Sequence, residues 1–180
     1  MNQPAAPGIQ DRTATILGWA IFIIFLALFI NVNYLPRTPL GERENVQLWH
    51  DSLGWIIGAL CLIRLYWFAA GPKPRPPEGL PEDSFTYSRA ILFTLILVFA
   101  LEFLIGIFYA WGEARQVNFF GGIFPQLAET SEPLRVSTGY THSALAFYYL
   151  MLITVWLVLG WWQNRKYKAG WRRLLPGEQV

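Results

Sequence analysis

The chain contains two histidines, His50 and His142, and each stands near the head of a long apolar segment. A neutral imidazole binds metals through a ring nitrogen and is the usual axial ligand of b-type haem. A low-spin haem takes two such ligands, one on each face of the porphyrin. Two segments with one histidine apiece at matching depth would supply one such pair and no second one.

The elements that must carry them follow from composition. Hydrophobic residues make up 54% of the chain and charged residues 14%, where a soluble chain has about 25% charged. Mean hydropathy is +0.32. Four nearly charge-free apolar runs cover residues 14–31, 49–70, 88–111 and 141–163; Asp51 stands at the head of the second, and Arg64, Arg89 and Glu102 lie within the runs. Each matches the hydrocarbon thickness of a bilayer, whose interior forces backbone hydrogen bonds within the segment, hence a helix. The Gly71-Pro-Lys-Pro-Arg-Pro-Pro77 connection cannot extend a helix. The expectation is an all-α integral membrane four-helix bundle, a single transmembrane domain over residues 1–180. A formal net charge of +2 gives no footing for nucleic acid.

Basic residues orient it. Lys73, Arg75 and Arg89 flank the second connection, and Arg165, Lys166, Lys168, Arg172 and Arg173 follow the fourth run. Arg37 and Arg43 are offset by Glu42 and Glu44; Arg115 and Arg135 are outnumbered by Glu113, Glu129 and Glu132. Lys and Arg stay on the cytoplasmic side, so both termini should face the cytoplasm, with Trp49, Trp111, Trp161 and Trp162 as interfacial anchors. The first run exceeds a signal peptide's apolar core and lacks a small-residue cleavage site, so it reads as a retained helix. Cys61 is the sole cysteine, which rules out disulfides within the chain, and no Cys-x-x-Cys-His motif for covalent haem occurs.

In this topology the second and fourth segments both run inward, with His50 and His142 in their first turns and at depths agreeing within a few ångströms. Gly54 and Ala146 follow at i+4, on the same helix face, and leave room for a porphyrin edge; Gly58 extends that stripe. The spacing is also compatible with interfacial histidines bonded to loops or headgroups.

Motifs narrow this. His50-Asp-Ser-Leu-Gly54, Leu62-Ile-Arg-Leu-Tyr-Trp67 and Pro72-Lys-Pro-Arg-Pro-Pro77 together resemble the second helix and following turn of bacterial cytochrome b561 proteins. Gly106, Val117-Asn-Phe-Phe-Gly121 and Phe124-Pro-Gln-Leu127 resemble that family's third helix and following loop. His142 falls where its fourth helix opens with a haem-binding histidine, so the resemblance spans nearly the whole chain. Family members usually bind two b haems through four histidines. Here the early first-helix position reads Leu17-Gly18-Trp19, and its partner about four turns beyond His142 is Trp156. Both members of the cytoplasmic pair are replaced and both members of the outer pair remain. The resemblance therefore implies a scaffold reduced to one haem b, with bulky Trp156 filling vacated volume opposite Gly18.

Other residues could serve that haem. Arg115 and Tyr140, with Thr141, are candidates for binding propionates or orienting an imidazole. Glu102 lies within an apolar run, where a charged, unpaired carboxylate costs several kilocalories per mole, so it should face the bundle interior. It reads as a proton carrier beside haem or quinol, or as a neutral carboxyl bonded to a helix carbonyl or tyrosine. Arg64 is expected to snorkel to headgroups, Asp51 to be a solvated helix-start carboxylate, and Phe147, Tyr148 and Tyr149 to pack the bundle and meet lipid.

The resemblance implies a multi-pass protein of the bacterial inner membrane, an oxidoreductase or electron carrier near the periplasmic face. Its electron partners would be a quinone such as ubiquinone, or superoxide. A reading from a different class is an accessory or anchoring subunit of a larger membrane redox or photosynthetic complex, built on a degenerate b561 scaffold.

Overall fold

The computed structural model describes residues 11–171 and 174–176. Four long helices form the chain: α1 (Arg12–Tyr34), α2 (Arg43–Ala70), α3 (Glu82–Gly112) and α4 (Glu132–Tyr167). All four are long and apolar enough to cross a membrane. The α3–α4 connection contains a two-stranded hairpin, β1 (Val117–Phe119) and β2 (Gly122–Phe124), paired antiparallel. Its two-residue turn, Phe120–Gly121, has both φ angles positive, 46° and 90°, the geometry that matches strand twist and that glycine accepts without strain.

The helices outrun the apolar segments because capping chemistry, not hydropathy, sets their ends. Asp11 starts α1 by accepting from the Thr13 and Ala14 amides at 3.1 and 3.2 Å. Ser131 starts α4 by accepting from the Leu134 amide at 3.2 Å, with Pro133 in the first turn, where its missing N–H costs nothing. The fourth helix therefore begins nine residues before the expected Thr141, and at 36 residues it is about 54 Å long.

α3 packs closely on both α2 and α4, and α2 on α1. In the middle of the bundle and towards the end carrying the termini, Ile21, Ile57, Cys61, Ile96 and Ala100 form a sealed apolar core among α1, α2 and α3. Nearer that end, Leu80 and Phe85 pack with Trp156 and Tyr167. Beside them lies a buried polar clamp between α3 and α4. Gln163, fully buried, donates to the Ser84 carbonyl at 2.8 Å and accepts from the Ser88 hydroxyl at 3.1 Å.

Two expectations change here. Arg64 is only 7% exposed rather than snorkelling. Its guanidinium lies 5.8 Å from the Phe68 ring and within electrostatic reach of Asp11. Trp111 is buried at 5% exposure beneath the hairpin, stacked on Phe124 at 6.2 Å, so it is no interfacial anchor. Trp49, Trp161 and Trp162 remain exposed.

Removing a partner from a buried polar pair strands the other, at about 1–3 kcal/mol. Gln163→Ala should therefore lower the thermal unfolding midpoint in detergent, and Gln163→Glu should lower it too, because an ionised carboxylate cannot donate to the Ser84 carbonyl. An unchanged midpoint in the alanine variant would show that the clamp contributes nothing.

Candidate functional site

Where α1 and α4 stand apart, at the end opposite the termini, all four helices line a cavity of about 1310 Å³. This exceeds the usual size for a small-ligand pocket, about 300–1,000 Å³. His50 and His142 face each other across it, ring centroids 6.2 Å apart and planes at 87°. Neither lies in the first turn of its helix: His50 is seven residues into α2 and His142 ten into α4. They nevertheless meet at one level, because the extra turns of α4 extend beyond that level.

Asn31 fixes the His50 ring. Its Nδ2 donates to the Val46 carbonyl at 3.0 Å, which turns Oδ1 towards His50 Nδ1 at 3.3 Å. An amide oxygen only accepts, so Nδ1 carries the ring hydrogen and Nε2 keeps its lone pair for a metal. His142 is set by one stripe of α3, residues 102, 106 and 109. Tyr109 stacks against its ring at 6.3 Å and 29°. Gly106 backs it so closely that a Cβ there would lie 3.0 Å from Cε1. Glu102 Oε1 sits 3.2 Å from Nδ1, facing a histidine rather than a carbonyl or tyrosine. The pair is close but off the hydrogen-bond line, so Nδ1 and Glu102 Oε2 lack hydrogen-bond partners.

The walls are apolar and the mouth is polar. Three rings from three helices make the floor: Phe99 and Tyr149 at 3.9 Å, Phe25 and Tyr149 at 5.2 Å, and Phe25 and Phe99 at 5.5 Å. A Cβ on Gly54 would meet nothing within 4 Å, so that glycine borders open volume, with Ala146 also in the lining. Gly58 does not extend the stripe; a Cβ there would strike the Phe103 ring. At the mouth Arg115 lines the cavity while its guanidinium donates to Asp51 Oδ2 at 2.6 Å.

Asp51 is buried, not solvated, and also accepts from Gln47 at 2.9 Å and the Asn118 amide at 3.4 Å. Fully buried Ser52 accepts from the Phe120 amide at 2.9 Å. These bonds bind the hairpin to α2 beside His50.

The arrangement thus brings together His50, His142, Gly54, Ala146, Arg115 and Glu102. It leaves out Tyr140, which is 77% exposed, and Thr141, whose hydroxyl donates back to the Ser137 carbonyl at 2.8 Å. Asn31, Tyr109 and the aromatic floor were not anticipated. Asn31 alone left a trace, an amide closing an apolar run at the outer level.

The donor set discriminates among metals. Among the described residues no group of three or more His, Cys, Asp or Glu could hold a free ion. Two imidazoles fit instead a metal whose remaining positions are filled by a planar macrocycle. Two metal–nitrogen bonds of about 2 Å each, with the half-widths of two rings, sum to about 6 Å, close to the 6.2 Å observed. The open volume beside Gly54 and the apolar walls suit a porphyrin.

A search of curated proteins finds no match to this chain. The family model for prokaryotic cytochrome b561 matches residues 9–177. The chain therefore belongs to the prokaryotic cytochrome b561 family and is a membrane b-type cytochrome of electron transfer.

Proposed function

We propose that this chain holds a single haem b between His50 and His142, near the periplasmic face of the bacterial inner membrane. There it passes electrons one at a time, with quinone or superoxide as partner. The observation that carries this is the opposed imidazole pair, 6.2 Å apart in a cavity bounded by four helices. Bound haem supplies a one-electron iron couple. His50 and His142 would each give an axial nitrogen, and neutral ligands held by packing limit the rearrangement accompanying each transfer. Arg115, tied to Asp51 at the mouth, places positive charge where acidic haem substituents would meet it. Phe25, Phe99 and Tyr149 exclude water from below. On the other half Trp156 packs with Leu80 and Phe85, and both histidines of the chain are already engaged above. The distribution of basic residues supports an outward-facing histidine end.

Haem content by pyridine haemochrome against protein mass should give a ratio of one, and His50→Ala or His142→Ala should each abolish the low-spin spectrum. A ratio of two, or low-spin spectra in both variants, would refute the single bis-histidine site.

Gly106 offers a graded test. Gly106→Ala should loosen haem modestly, since the His142 ring must give by a few tenths of an ångström, while Gly106→Leu should prevent binding. Equal affinity in all three proteins would mean that His142 is not seated there.

An impermeant oxidant should reach the haem rapidly from the periplasmic face of oriented vesicles and slowly from the cytoplasmic face, as followed by stopped-flow absorbance. Equal rates from both sides would point to transmembrane transfer instead.

A further inference from the structure

We propose that Glu102 is the positioning residue of His142: its carboxyl accepts the Nδ1 hydrogen and fixes the rotation of that imidazole, as Asn31 does for His50. This rests on the reading of His142 as an iron ligand. Glu102 lies twenty residues into an apolar membrane-spanning helix, where a carboxyl without a task is costly. Its side chain is 16% exposed and that of His142 25%, with Oε1 3.2 Å from Nδ1. Nδ1 has no hydrogen-bond partner and neither has the second carboxyl oxygen, so the carboxyl whose Oε1 lies 3.2 Å away is the acceptor within reach of Nδ1.

The neighbours leave that rotation as the remaining freedom. Tyr109 covers the ring by stacking, and Gly106 abuts its Cε1 edge. Once Nε2 is bound to iron, Nδ1 is the one ring atom still able to make a hydrogen bond, and its partner sets both the ring plane and the basicity of the ligand. The two ligands are then unequal, His50 supported by a neutral amide and His142 by a carboxyl. A carboxyl accepts in either charge state, so the role requires an acceptor oxygen rather than a particular protonation. Glutamine can replace it; leucine cannot.

The experiment uses the full haem-loaded chain in nanodiscs, comparing wild type, Glu102→Gln and Glu102→Leu. The low-temperature EPR g-values report the ligand planes, and transfer to an apo-globin acceptor reports haem release. Glu102→Gln should keep the wild-type g-values. Glu102→Leu should shift them and release haem about 10–100-fold faster, the usual cost of losing such a partner. Wild-type values in Glu102→Leu, or a Glu102→Gln variant as altered as the leucine one, would overturn the proposal. If Glu102→Leu does not accumulate, proton ENDOR of the wild type decides: a hydrogen-bonded Nδ1 proton on each imidazole supports the role, and only one such proton overturns it. A wild type lacking a bis-imidazole spectrum would overturn both this role and the haem reading. With that spectrum present, an indifferent Glu102→Leu overturns the positioning role alone.

Discussion

The two imidazoles must be held a fixed distance apart by helices that are not in close backbone contact. α2 and α4 carry the rings, and α3 packs tightly on both, so α3 sets the spacing. One side of α3 presents Glu102, Gly106 and Tyr109 to His142. Another side sends Phe103 into the notch left by Gly58 on α2. Two glycines thus do different jobs along one line of force: Gly58 lets α2 and α3 approach, and Gly106 lets α4 bring its ring in. Dense packing transmits displacement, so a change at either glycine would alter the gap between the rings.

The third connection supplies the second restraint. It returns to α2 through Asp51 and Ser52, the two residues after His50, by way of Arg115, Asn118 and Phe120. The ring of His50 is held by Asn31 of α1, while the hairpin holds the helix beside it through Asp51 and Ser52. The stretch His50-Asp-Ser-Leu-Gly54 contains the separate pieces of this device in order: a cavity-facing imidazole, two loop anchors and a space. A buried aspartate paired with arginine and hydrogen-bonded to an amide is expensive to desolvate but costly to break, which suits a hinge-free mouth.

Much of this was legible in the sequence, and the limits have physical causes. Composition and run length indicated four membrane helices, and the histidine heads with Gly54 and Ala146 marked the cavity. Helix ends were misplaced because an apolar run records contact with lipid, whereas Ser131 with Pro133, and Asp11, record where backbone donors are satisfied. Hydropathy also cannot distinguish a tryptophan facing an interface from Trp111 tucked beneath a hairpin, nor a solvated aspartate from Asp51, whose partners in the third connection are 64 and 67 residues away. Tyr109 and the Phe25–Phe99–Tyr149 floor were hidden for the opposite reason. In so aromatic a chain, no pattern singles out the rings that turn inward.

The two halves of the bundle differ in how their polar groups are answered. Towards the termini, Gln163 is paired with Ser84 and Ser88, the Trp67 indole donates to Asp11 at 2.6 Å, and Arg64 lies by Phe68 and Asp11. The buried side-chain atoms left without hydrogen-bond partners, among the described residues, are in Trp55, Glu102, Trp111 and His142, all at the histidine end. Native interiors leave few such atoms, and each calls for a partner such as a bound water, ion or ligand. The histidine end keeps a large cavity, two facing imidazoles and unanswered polar atoms together. The imbalance accords with the proposed haem site at the histidine end, where a bound group would meet the cavity and the unanswered atoms together.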